Sequence, residues 1–175
     1  MVYVDDLLVF GSKQRIAREK KELARNFEMC DLGEARWFLA MEITCDQVAC
    51  TITIDQQQYI WKILEHFGLE NSWSVSMLMA INIKLPKLET PEVDQRLYQS
   101  MLGSLMYVVI GTRPDIMFAV HYLSQFLVAP SSEHIMALKC IYWYLNGTWD
   151  LGMTFHGNQI GDVLQPVPPD IREGY

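Results

Sequence analysis

The chain has 175 residues, half of them hydrophobic and one-fifth charged, enough apolar surface for one ordinary core or two small lobes packed together, so disorder is excluded as its ground state. Fourteen basic against twenty-one acidic residues leave a net charge of −7, the wrong sign for bulk attraction to phosphate, and any nucleic-acid contact must be local. The longest uncharged stretch, 97–112, is too short to span a bilayer comfortably and carries Gln99, Ser100 and Ser104, while residues after Met1 alternate instead of forming a basic-then-apolar leader. The expectation is an intracellular chain with no membrane span.

In chain order, Val2, Val4, Leu7, Leu8, Val9 and Phe10 flank Asp5-Asp6, which predicts two short strands with the Asp pair as a two-residue hairpin loop, a place where Asp tolerates left-handed backbone. Ser12 is placed to cap a helix reaching about Phe27, with Ile16, Ala17, Leu23, Ala24 and Phe27 on one face and Lys13, Arg18, Lys21 and Arg25 among the rest. That pattern predicts an amphipathic helix packed on a sheet. Asp31-Leu32-Gly33 reads as a turn into a second hairpin, residues 37–44 and 51–54 around Asp46-Gln47. Asp55 then caps a helix whose stripe is Tyr59, Ile60, Ile63, Leu64 and Phe67, stopped by Gly68.

Residues 70–91 show no sustained period and read as a linker between two lobes. The second lobe is predicted helical over 94–110, from Pro114 to about residue 128, and from a Ser131 or Ser132 cap to residue 145. Its connections, Gly111-Thr112-Arg113 and Ala129-Pro130, are short enough to make successive helices neighbours. A strand-like 151–155 follows, then an extended tail with Pro166, Pro168 and Pro169. The fold class is α+β: antiparallel hairpins with packed helices, followed by a small helical lobe.

The residues with chemistry are few. Cys30, Cys45, Cys50 and Cys140 form no C-x-x-C pair, and His66, His121, His134 and His156 lack zinc-ligand spacing, so reduced structural thiols and ordinary or satisfied histidines are expected. Trp37, Trp61, Trp73, Trp143 and Trp149 read as core or linker packing. The basic residues between Lys13 and Arg25, Arg15 and Lys20 included, fit either a phosphate backbone or a solvated face whose Glu19 and Glu22 form ion pairs. Asp5 and Asp6 are hard oxygen donors of the kind Mg2+ takes, one or two per ion with phosphates and water completing the shell. Alone, such a pair is what any polar turn offers.

The surroundings distinguish it. Tyr3-Val4-Asp5-Asp6-Leu7-Leu8-Val9-Phe10-Gly11, then Phe27-Glu28-Met29-Cys30-Asp31-Leu32-Gly33-Glu34-Ala35, Phe38-Leu39-Ala40-Met41-Glu42-Ile43, Tyr98-Gln99-Ser100-Met101-Leu102-Gly103-Ser104-Leu105-Met106-Tyr107, Thr112-Arg113-Pro114-Asp115-Ile116 and Tyr144-Leu145-Asn146-Gly147-Thr148 follow one another in order. As a set they resemble the carboxy-terminal part of a copia-type retrotransposon reverse transcriptase and the connection beyond it in the Pol polyprotein, over roughly residues 1–156. The resemblance implies a palm-like back half at 1–54, a thumb-like helix and linker at 55–93, a helical connection at 94–156 and an extended tail at 157–175. It makes Asp5 and Asp6 catalytic metal ligands for Mg2+, Asp5 foremost. Phe38, Leu39, Ala40 and Met41 become a primer-grip-like strand, and Lys13, Arg18, Lys21 and Arg25 candidate phosphate contacts. The partners implied are an RNA/DNA template–primer and other Pol segments.

Departures from the pattern bear on activity. Only four residues precede Asp5, so the family's third Asp and its fingers must come from elsewhere, and the groups that catalysis requires to be preorganised together are not all in this chain. Ala40 stands where the family usually has Gly, where a methyl could crowd a backbone approaching the primer. Ser76-Met77-Leu78-Met79 lacks the family's proline, and Gly174-Tyr175 resembles the lead into a ribonuclease H domain. The expected function is a remnant of an RNA-directed DNA polymerase, inactive as this isolated chain. The alternative is a nucleic-acid-binding or protein-interaction scaffold derived from it. In either case an unpaired sheet edge is expected beside residues 2–10.

Overall fold

The structure, a computed structural model, describes residues 2–79 and 84–157; the expected tail beyond 157 lies outside the described residues. The chain opens with a two-stranded hairpin, β1 (Val2–Tyr3) and β2 (Asp6–Leu7). Helix α1 (Lys13–Asn26) follows, its amino end closed by Ser12, whose hydroxyl accepts from the Arg15 N–H. The expected packing of α1 on a sheet does not occur. No residue of α1 is buried, and only Ile16, Lys20 and Leu23 are partly covered, because the two-residue strands that precede it are too short to offer a face that could receive the stripe.

The second sheet is larger, in the antiparallel order β3 (Trp37–Phe38), β4 (Met41–Asp46), β5 (Thr51–Asp55) and β6 (Met153–His156). Residues 37–44 are therefore not one strand. Leu39 and Ala40, at φ of 51° and 56°, form a two-residue loop of the kind whose left-handed pair matches the twist of a hairpin. The β4–β5 loop spans 47–50 instead of turning on Asp46-Gln47; the Asp46 carboxylate stays in the strand and accepts from the Val48 and Ala49 N–H groups, both at 2.9 Å. Strand β6 returns from the far end of the chain, pairing Ile54 with Met153 and Thr51 with His156. Gly152 permits this approach, since a Cβ there would lie 2.8 Å from the Ile54 carbonyl.

Helix α2 (Gln57–His66) begins beside Asp55, which accepts from the Gln57 N–H at 3.2 Å, and ends at Gly68, whose φ of 65° closes the last turn. Helix α3 (Gln95–Gly111) is capped by Asp94, and α5 (Ser132–Gly147) by Ser131. Between them Pro114–Ile116 makes a 3-10 turn that runs into α4 (Met117–Ser124), shorter than the helix to residue 128 that Pro114 led us to expect. One core joins all four helices: Ile60, Ile63 and Leu64 of α2 are buried with Leu102, Leu105 and Val108 of α3, Val120 and Leu123 of α4, and Leu138, Ile141 and Leu145 of α5. Each such side chain contributes roughly 2 kcal/mol by leaving water.

Packing thus runs across the expected divisions near residues 54 and 93. The described parts of the stretch read as a linker touch the helices, residues 80–83 lying outside the described residues: Asn146 donates to the Ser72 carbonyl at 2.8 Å, the Leu85 N–H donates to the Tyr122 hydroxyl at 3.3 Å, and Leu78, Met79 and Leu85 pack against the core. Of the tryptophans, Trp149 packs against this core from its edge. Trp73 is 91% exposed, and Trp61 meets Trp149 at the surface with ring centres 5.6 Å apart.

Candidate functional site

The register Val2↔Leu7 and Tyr3↔Asp6 shifts the first hairpin loop by one residue from expectation. The loop is Val4-Asp5, and Asp6 already pairs as the first residue of β2. Val4 carries the left-handed φ of 48°, a position where a β-branched residue costs on the order of 1–2 kcal/mol relative to glycine. Asp5 and Asp6 are both exposed and take no part in the two ion pairs found among the described residues, Lys20–Asp31 and Arg113–Asp115. Two exposed hard-oxygen donors at a hairpin tip suit Mg2+ as one- or two-carboxylate ligands. Among the described residues no group of three or more acidic, histidine or cysteine side chains converges on a metal position.

The four residues read as a primer-grip-like strand form the β3–β4 turn. Phe38 is buried, Leu39 and Met41 are partly covered, and Ala40 is exposed at the tip. The left-handed φ at position 40 supplies a local reason for glycine there, distinct from crowding against a ligand. Beneath the turn stands Tyr107 of α3, whose hydroxyl donates to the Leu39 carbonyl. Its ring meets Tyr59 edge-on at 4.7 Å. Burial raises the Tyr107 pKa, with the nearby Tyr59 and Tyr3 hydroxyls adding to the shift and Gln56 opposing it.

Gln56, only 1% exposed, accepts from the Thr112 hydroxyl at 2.9 Å. Its head group fills the space over Gly111, where a Cβ would come within 2.4 Å of it. The next residue, Arg113, is 2% exposed. It grips both Asp115 oxygens at 3.0 and 2.8 Å, and the Thr148 carbonyl and hydroxyl at 2.6 and 2.8 Å, while Tyr144 donates to Asp115 at 3.0 Å. Burial pushes the Asp115 carboxyl up, but the hydrogen bonds and charge of Arg113 and the Tyr144 hydroxyl outweigh it, and the net shift is down. The Thr112-Arg113-Pro114-Asp115 motif is therefore a clasp from α3 to the end of α5. Sequence reasoning missed it, because arginine is ordinarily an exposed residue.

On α1, Arg18, Lys21 and Arg25 are exposed, and their i, i+3, i+7 spacing puts them on one face. Lys13, also exposed, lies a quarter-turn away on the first turn. Lys20 is withdrawn from the set, bonded to Asp31 at 2.6 Å.

Comparison with known proteins places these features in a lineage. Residues 1–81 match the family described as reverse transcriptase (RNA-dependent DNA polymerase). The chain is 38% identical over 166 residues to a retrovirus-related Pol polyprotein from transposon TNT 1-94 of Nicotiana tabacum, covering 90% of this chain and 12% of that protein. It is 35% identical to a retrovirus-related Pol polyprotein from transposon RE1 of Arabidopsis thaliana, over 87% of this chain and 10% of that one. It is 34% identical to a Saccharomyces cerevisiae protein ascribed to transposon Ty5-1, over 91% and 52%. The chain thus spans about a tenth of the two polyproteins. No solved structure matches it significantly. With the Asp-pair hairpin and the ordered motifs behind it, these matches show that residues 1–81 belong to the reverse transcriptase family and that most of the chain is similar to copia-type retrotransposon Pol polyproteins.

Proposed function

We propose that this chain is the rear portion of a retrotransposon RNA-directed DNA polymerase, supplying the Asp5–Asp6 hairpin, the 38–41 turn and the helical body behind them, and that it does not transfer nucleotides by itself. In this reading Asp5 and Asp6 hold Mg2+, which in phosphoryl transfer makes the primer hydroxyl a better nucleophile and stabilises charge on the moving phosphoryl group. The turn at 38–41 faces the primer. Arg18, Lys21 and Arg25 contact template phosphates, which fixes register without reading sequence. The observation that carries the reading is the state of the hairpin. Its Val2 and Val4 are 72% and 81% exposed beside the paired carboxylates, as expected of strands that complete a sheet only with further Pol residues.

Primer extension tests it. The purified chain is expected to give no Mg2+-dependent product, and product is expected when it is co-expressed in frame with the upstream polymerase segment of its element, then lost with Asp5→Asn. Extension by the chain alone that disappears in Asp5→Asn would overturn the inactive reading.

A second reading, a binding scaffold derived from the polymerase, is favoured by one observation: the four-helix core closes without the hairpin or α1. It predicts that the chain binds an RNA–DNA hybrid with steep salt dependence. Absence of salt-sensitive binding at low ionic strength would remove it.

A further inference from the structure

The hairpin and the 38–41 turn lie within the 1–81 match to the polymerase family, whereas α3 lies beyond it. Tyr107 of α3 is nevertheless the group that stands beneath the 38–41 turn. Its hydroxyl donates to the Leu39 carbonyl, and its ring edge packs on Tyr59 of α2. The turn it meets needs holding. Neither Leu39 nor Ala40 is a residue that favours the left-handed conformation both adopt, so local sequence does not fix this loop.

The post is itself fixed. Tyr107 lies one turn before Gly111-Thr112, where the buried Gln56 side chain is clamped between the Thr112 hydroxyl and the space that only a glycine leaves open. Arg113 then ties the same end of α3 to Thr148. The Arg113 clasp and the Leu39 carbonyl are thus linked through the last turn of α3 and the Gln56 side chain.

We propose that Tyr107 is a positioning residue for the 38–41 turn: through the Leu39 carbonyl, a helix outside the polymerase match sets the shape of the loop that meets the primer. The turn's contact with the primer rests on the function proposed above; the positioning does not. Tyr107→Phe keeps the ring against Tyr59 and removes only the hydroxyl, so the fold is retained. Losing one hydrogen bond of this kind is expected to speed amide exchange in residues 37–43 by about fivefold, with α5 unchanged. Adding Ala40→Gly, which relieves the left-handed strain, should restore part of the protection.

The second readout is affinity for a labelled RNA–DNA hybrid at low salt, where Tyr107→Phe should bind severalfold more weakly than the unmodified chain. Unchanged exchange in residues 37–43 overturns the positioning role, whatever the binding shows. Faster exchange with equal hybrid affinity overturns its consequence for the primer. Faster exchange in a chain that never binds hybrid leaves the positioning standing and sinks the nucleic-acid reading instead.

Discussion

The first thirty-odd residues and the body behind them solve the same problem with opposite results. Both contain amphipathic helices next to hairpins, but α2 buries Ile60, Ile63 and Leu64 whereas α1 buries nothing. The difference is one of partners. Helix α2 lies among α3, α5 and the β4–β5 hairpin, so its stripe meets apolar surface on several sides. Among the described residues α1 shares no such packing with another element, and Val2, Val4, Phe10, Phe27 and Leu32 remain between 63% and 88% exposed. A helical pattern in sequence states that a face is to be buried. It does not state that the burying surface lies nearby.

If the body is a self-sufficient unit, its largest single-residue sensitivity should lie in the clasp that closes it. Arg113→Ala leaves Asp115 only the Tyr144 hydroxyl and the Thr148 carbonyl only the Leu151 N–H, and is expected to cost about 3 kcal/mol, at the low end for breaking a buried pair because Asp115 is 37% exposed. For a chain of this size that corresponds to a melting temperature lower by roughly 6–10 °C. Arg113→Lys should recover less than half of the loss, since one ammonium cannot span a carboxylate and a carbonyl as the guanidinium fork does. A melting temperature unmoved by Arg113→Ala would mean that the body is not held at this point.

The next effect depends on pH and should also appear only in the body. His134, fully buried and stacked on Phe126 with ring centres 4.0 Å apart, accepts at Nδ1 from the Ser131 N–H and completes the capping box of α5. Burial lowers its pKa from 6.5, and the opposing influences of Glu133, the Pro86 carbonyl and Glu92 are smaller. The unfolded chain therefore binds this proton more readily than the folded one. The stability this confers is fully present above about pH 6.5 and is lost as pH falls towards and through the depressed folded value. His134→Gln keeps a capping-box residue at the third position of the helix and removes the titration. The fall in melting temperature between pH 7.5 and pH 5.5 should be visibly shallower in His134→Gln than in the unmodified chain; equal slopes would place the sensitivity elsewhere.

What could be read from residues alone follows the same line between local and non-local causes. The cap at Ser12, the helix start at Asp94, a serine cap at 131 or 132, the α2 stripe and the stop at Gly68 were legible, because each is decided within a turn or two of helix. The β3–β4 turn was not, because Leu39-Ala40 carries none of the Asn or Gly that advertise a left-handed pair. The one-residue shift at Val4-Asp5 escaped for the same reason: Asp-Asp looks more like a turn than Val-Asp does. Strand β6 was visible as a strand, but its partner a hundred residues earlier was not. Tyr107 and Arg113 lay inside quoted motifs with no role attached, since only packing shows that one supports a turn and the other is buried. The candidate metal ligands were legible as residues and as ancestry, while the groups beneath the 38–41 turn had to be seen in place.

The smallest expected effect is the sharpest test of the contrast between the two regions. Phe10 and Phe27 are 72% and 63% exposed, so replacing both with serine removes little packing, and the melting transition should move by no more than about 0.5 kcal/mol, the range of ordinary surface changes. Self-association should respond instead. Open sheet edges with exposed apolar side chains nearby invite pairing between molecules, and the double variant should sediment with a smaller oligomeric fraction than the unmodified chain at the same concentration. A loss approaching that of Arg113→Ala would show that these side chains pack on the body in solution, and α1 would then belong to the same cooperative unit as α2. An unmoved transition with reduced association would instead make this surface a face awaiting a partner.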